Sequence, residues 1–205
     1  MTVLEQAARL SRNLKQTAGS RFIAAKRLEA RDRALTRMAA FASAYVIILT
    51  ILPYFIEIPK RDTDLINLFT VALALIVLVA SLYQYSNGDI VNAEQHHRSG
   101  LELNEIRRDL ELRDANITAP ELAEFTQRYN LVLQKYSINH DNIDYLKLQL
   151  DRPEDYPWVK APQRLQIWLL WNWKHHFPTL MLTLLSVGTG AMVAYHVYIL
   201  PAIGS

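Results

Sequence analysis

MAAFASAYVIILTILPYFIEI (residues 38–58) and LINLFTVALALIVLVASLYQY (residues 65–85) decide the fold of this 205-residue chain. Each run carries almost no charge, and only Pro59-Lys60-Arg61-Asp62-Thr63-Asp64 separates them. A hydrocarbon layer about 30 Å thick is crossed by roughly 20 helical residues. Both runs reach that length, and so short a connector makes them antiparallel neighbours. The reading is an all-α membrane protein built on a transmembrane helical hairpin.

Composition agrees with segregation rather than a single globular core. The chain is 51% hydrophobic, yet its mean hydropathy is only +0.01. A net charge of +2 gives no bulk attraction for nucleic acid, so no direct nucleic-acid binding is expected. Absence of cysteine removes disulfides, thiol catalysis and Cys-based metal sites. The first apolar run starts too far in and is too long for a signal h-region, so it is expected to stay as an anchor.

Charge sets the expected topology. Residues 1–37 hold nine Lys/Arg, among them Arg21, Arg27 and Arg37, against three acidic residues. The connector between the spans holds Lys60 and Arg61. This imbalance keeps the N-terminus cytoplasmic in a multi-pass protein of the inner membrane. The basic arm is either a solvated helix or one that also touches anionic headgroups. Four segments result: a basic cytosolic helical arm (1–37), the hairpin (38–85), a cytosolic helical region (86–164), and an interfacial helix with a third apolar run (165–205).

Within the arm, Leu4, Ala7, Ala8, Leu10 and Leu14 give a weak apolar face that Gly19-Ser20 is expected to break. From Arg21 the helix is expected to continue into the first span. Leu103, Ile106 and Leu110 form the stripe of an amphipathic helix. Asn116 and Thr118 lie in a break. Thr118-Ala119-Pro120-Glu121 is a capping box that starts a helix to about Gln134. A short helix fits Asp141–Leu150, and the proline-rich 152–162 reads as a linker. The third run, Phe177–Ile199, is long enough to span, with Pro178 at its start. Before it, Trp168, Trp171 and Trp173 with Lys174, His175 and His176 look like interfacial anchors. Residues 165–176 either lie flat on the inner leaflet or lead into the span.

No pattern of catalytic or cofactor-binding residues stands out. His96-His97 and His175-His176 point to different sides of a helix and supply too few ligands for zinc, so surface or headgroup positions are expected. His140-Asp141 reads as a helix start, and His196 as interfacial. The spans say more. Ser43, Thr50, Asn67, Thr70 and Ser81 are their polar residues and the candidates to line a pore. Pro53 is expected to kink the first span. Glu57, Asp62 and Asp64 collect at the outer mouth, as solvated ends in one hairpin or an anionic vestibule in a ring of them. Small residues at Ala40, Ala44, Ser186, Gly190 and Ala194 allow close helix approach, within one chain or between copies.

The basic helix RFIAAKRLEARDRALTR (21–37), its continuation MAAFASAYVIILTILPYF, the second span LFTVALALIVLVASLYQY and the helix NAEQHHRSGLELNEIRRDLE resemble the SLATT family of bacterial membrane effectors. The match covers roughly residues 15–115. The C-terminal helices and third run are most like the subfamily found beside reverse transcriptases, including those of retrons. The resemblance implies an antiviral effector that oligomerises and permeabilises the inner membrane when a separate sensor, a reverse transcriptase or nucleotide-signalling component or its ligand, detects infection. A passive membrane scaffold that recruits a cytosolic enzyme, or an accessory subunit of a transporter, fits the same hydropathy.

Overall fold

The structure, a computed structural model, describes residues 2–113 and 117–195; beyond Trp173 only the side chains at 177, 180, 184, 188, 191 and 195 are included. It contains helices α1 (Val3–Phe55), α2 (Lys60–Asn87), α3 (Asp89–Arg113), α4 (Ala119–Lys135), α5 (Asn142–Asp151) and α6 (Ala161–Ala194). Among the described residues there is no strand. The chain divides into two compact units, Met1–Ala30 with Asp89–Lys174, and Arg31–Gly88 with His175–Ser205.

In the first unit, the opening half of α1 is packed on several sides. Ala7, Leu10, Leu14 and Ala18 meet Leu103, Ile106 and Leu110 of α3 and Leu122, Phe125 and Val132 of α4 in one core. Spacings of three and four place these residues along one stripe of each helix. The α1–α3 contact is antiparallel: Ser11 Oγ donates to Glu111 at 3.3 Å, and the Phe22 ring lies against Gly100. The capping box at Thr118 and Glu121 is formed, so α4 starts where its sequence signal sits. Asp141 and Asp144 form a second box that starts α5.

Two expectations fail in this unit. Gly19-Ser20 does not break α1, which runs 53 residues without interruption. Gly19 serves packing instead, since a Cβ there would stand 2.8 Å from Leu148 Cδ1 of α5. The stretch 152–160 is no free linker either. Tyr156 and Val159 are buried with Leu148 and Ile167 in a second small core, and Lys15 Nζ pairs with Asp155 at 2.7 Å. The hydrophobic effect holds this corner down despite its prolines.

In the second unit, α1 from Arg31 and the whole of α2 run antiparallel. Gln84 Nε2 donates to Asp32 Oδ1 at 2.9 Å and to Thr36 Oγ1 at 2.8 Å near the open end. At the other end the connection is shorter than the expected six residues. The Pro59 carbonyl accepts from Asp62 N (2.9 Å) and Thr63 N (3.0 Å), so residues 60–64 already belong to α2. Pro53 lies in the last turn of α1, which stops at Phe55. Gly88, at φ +58°, closes α2 in the left-handed region, and α3 starts at the next residue. Pro178 does not start a helix: α6 begins at Ala161, with Gln163 accepting from the Lys160 backbone N–H at 3.0 Å, and continues through position 178.

Gly19→Ala should lose about 1–3 kcal/mol through overpacking against Leu148 and regain about 1 kcal/mol of helix propensity, for a net loss of up to about 2 kcal/mol in the full chain in detergent. Pairing it with Leu148→Ala should remove that clash, so the double variant should lose less than the two single losses summed in urea denaturation.

Candidate functional site

The side chains of the hairpin sort into two sets. Ala34, Ala42 and Leu49 of α1 and Thr70 and Leu73 of α2 are buried. Phe41, Ile47, Leu68, Val79 and Leu82 are among many large apolar residues left exposed. The most apolar stretches of the two helices are only 11% and 6% buried, which distinguishes them from core helices of a water-soluble domain. Water does not tolerate an apolar surface of this extent, whereas lipid does, and an α-helix satisfies its backbone without solvent. These are two helices long and apolar enough to cross a membrane.

The polar residues of the hairpin suit such a surface. Ser43, Thr50, Thr70 and Ser81 each donate to the carbonyl four residues back, at 2.7–2.8 Å. Ser43, Thr50 and Ser81 are exposed, while Thr70 is buried. Asn67 is exposed and makes no side-chain hydrogen bond among the described residues. Ala40 and Ala44 are exposed, so Ala42 rather than they packs the hairpin. Glu57 and Asp64 are exposed and Asp62 half-buried at the connection. Trp168 and Trp173 are exposed on α6, and Trp171 carries Lys147 Nζ 5.6 Å from its ring centroid. Ser186, Gly190 and Ala194 lie on α6, but their side chains, like those of His175 and His176, are outside the described set, as are Asn116 and His196.

The first unit also holds a buried polar layer that the sequence reading missed. Arg21 is almost wholly buried; it donates to Ser99 Oγ and, at 3.5 Å, to the Ile138 carbonyl. Arg21 Nε, His96 Nδ1 and Ser20 Oγ have no hydrogen-bond partner among the described residues. Two turns on, Arg27 grips the fully buried Asp144 through Nε (2.7 Å) and Nη2 (2.9 Å) and also reaches Asp141 at 2.8 Å. His96 is buried, not at the surface as expected. Its neighbour His97 is exposed and packs edge-on against Phe22, 5.6 Å between centroids. A usable signal existed: Leu14, Arg21 and Leu28 are seven apart on α1, as are Asp89, His96, Leu103 and Leu110 on α3, and all seven are buried.

Burial dominates the electrostatics of this layer. Desolvation, with the Arg21 charge adding, holds His96 down at about 4, so the ring is neutral at neutral pH. Burial lowers His140 as well. The same desolvation pulls Arg21 below its usual range, partly offset by Tyr129 and Tyr136. Among the described residues, no three His, Asp or Glu side chains converge as metal ligands. The layer therefore positions α1 against α3 and α5 through charge and hydrogen bonding.

The model of a family described as SMODS and SLOG-associating 2TM effector domain family 5 matches residues 3–198. Neither a curated protein nor a solved structure matches the chain.

Asp144→Ala removes the buried carboxylate that Arg27 grips and should cost about 3 kcal/mol, the lower end of the range for one partner of a buried pair. Acid should also act through His96. Its proton is bound in the unfolded chain below about pH 6.5 but in the folded chain only near 4. The His96 contribution is thus fully present above pH 6.5 and lost as pH falls toward 4, by about 3 kcal/mol. His96→Gln should flatten that part of the urea-denaturation profile, leaving the smaller slope from His140.

Proposed function

The chain belongs to the SMODS and SLOG-associating 2TM effector domain family, and we propose that it is the membrane-permeabilising effector of a bacterial antiviral system. The observation that carries this reading is the hairpin itself: two helices of membrane-spanning length, almost unburied, on a chain whose other unit is a polar helical bundle. In this proposal the chain sits in the inner membrane with its N-terminus cytoplasmic. Nine basic residues precede the first span, and only Lys60 and Arg61 lie at its far end. α6 supplies a third crossing from Phe177 onward, with Trp168, Trp171 and Trp173 at the inner interface.

Copies assemble when a separate sensor signals infection. Exposed Ser43, Thr50, Asn67 and Ser81 then face a water path, joined by Thr70 on rearrangement, with Glu57, Asp62 and Asp64 at its outer mouth. The family's description couples its members to SMODS and SLOG, which makes a nucleotide-signalling component one class of sensor. The resemblance of the C-terminal region makes a reverse transcriptase, as in retrons, the other. A constitutively open pore would kill its host, so the resting state must lie lower in free energy and the activator must bind the open state better. The cytosolic unit around Arg21, His96 and Asp144 is where that difference is written, and α1 carries it to the span.

Cells that express the chain with its cognate sensor should stop growing on triggering, with collapse of the membrane potential measured by a voltage-sensitive dye. Leu73→Arg, which places a charge costing about 2.5–3.5 kcal/mol in the span, should abolish both responses. Arrest with an intact potential would overturn permeabilisation in favour of a passive anchor. Asn67→Leu should change ion flux without changing assembly.

A further inference from the structure

The outward face of α3 carries a regular order of side chains: Ile90, Glu94, Arg98, Leu101, Glu105, Arg108 and Leu112. Their spacings of three and four residues set them in one line along the helix. All seven are exposed; Ile90 and Leu101 are each 51% open and Leu112 is 86% open. The three apolar residues stand eleven apart, and each interval between them holds one acid followed by one base. The opposite face of α3 is the one buried by Ala93, His96, Leu103, Ile106 and Leu110, so the line is not needed for the fold of this unit. Glu94 and Arg98 pair with one another at 2.5 Å, whereas Glu105 and Arg108 have no ion-pair partner among the described residues. Ile90, Glu94, Arg98 and Leu101 also border a shallow groove of about 870 Å³ whose far side includes Tyr136.

We propose that this line is the contact between two copies of the chain, α3 against α3. The inference rests on the reading that copies assemble in one membrane, and adds the surface. In this contact the two α3 helices run parallel about a two-fold axis, so like residues meet at the same level. Ile90, Leu101 and Leu112 then form three apolar layers. Between them each copy brings a neutral Glu–Arg couple whose members sit one turn apart. Glu94 of one copy reaches Arg98 of the other, and Glu105 reaches Arg108, closing two four-charge networks without a net charge to bury. Such a face matches only itself, and an isologous contact of this kind closes at two copies. Larger assemblies then form from dimers through other surfaces.

The chain has no native cysteine, which makes the test direct. Leu101→Cys in native membranes should give a disulfide-linked dimer on mild oxidation, and no larger ladder. Glu124→Cys, exposed on α4 away from this line, should give none. With a short bis-maleimide, Glu94→Cys should link to itself; linkage of Glu94→Cys to Arg108→Cys in its place would overturn the parallel register. Arg98→Glu should lower the dimer fraction severalfold without unfolding the protein, because the side chain is exposed. Swapping the couple, Glu94→Arg with Arg98→Glu, should restore it. Oligomers by native mass measurement with no Leu101→Cys linkage would overturn this face and leave assembly standing. A monomer in every condition, triggered cells included, would overturn both.

Discussion

One helix has to satisfy two solvents, and most of this structure follows from that. α1 continues unbroken from Val3 to Phe55. In its first half the neighbours are protein, and the side chains between 18 and 25 are mostly small: Ala18, Gly19, Ser20, Ala24 and Ala25 are all buried. Small residues let α3 and α5 approach, and Phe22 and Leu148 occupy the space they leave at Gly100 and Gly19. In its second half the large residues Phe41, Ile47, Ile48 and Phe55 turn outward. That distribution is inverted relative to a water-soluble helix and is stable only against lipid. The mean hydropathy near zero is the average of two opposed environments. The α-helix is the one element that serves both, because it needs no outside partner for its backbone.

The buried polar layer is the part of the bundle where stability and specificity conflict. Arg27 is matched by Asp144 and Asp141, but among the described residues Arg21 bonds only a hydroxyl and a carbonyl. A guanidinium held in this way costs more than an apolar side chain of similar size would. What it supplies is a unique axial position: a slip of one turn would withdraw Arg21 from Ser99 and Arg27 from Asp144 together. Apolar layers such as Leu14–Leu110 do not discriminate between registers so sharply. A rod whose displacement breaks specific polar contacts is held at a discrete position rather than along a continuum of them.

How much of this was legible in the sequence depended on which signal competed with which. The hairpin could be read because length and charge act together and nothing opposes them. The capping box at Thr118 and the helix start at Asp141 could be read because they are local. Gly19 was misread as a break because its helix penalty, about 1 kcal/mol, is visible in sequence, while its contact with Leu148, 129 residues away, is not. The prolines of 152–162 suggested a linker for the same reason; Tyr156 and Val159 were the counter-signal. His96 was judged with its neighbour His97 rather than with Asp89, Leu103 and Leu110, the residues that share its side of α3. The heptad spacing was there to be read, and it would also have placed Arg21 inside.

The hydroxyls of the hairpin bear on which surroundings its surface tolerates. Ser43, Thr50, Thr70 and Ser81 each direct their O–H to a carbonyl of their own helix. No donor is left orphaned, so these residues can face lipid or a neighbouring helix at little cost. Each oxygen nonetheless keeps a free lone pair. Turned toward water, it accepts a hydrogen bond or helps to solvate a cation with no change of rotamer and no bond to break first. A carboxylate or a lysine at the same position would hold water more strongly but would cost several kcal/mol against lipid in the bilayer centre. Ser and Thr among Leu, Ile and Val therefore leave the hairpin surface compatible with lipid, with a neighbouring helix and with water at little difference in free energy.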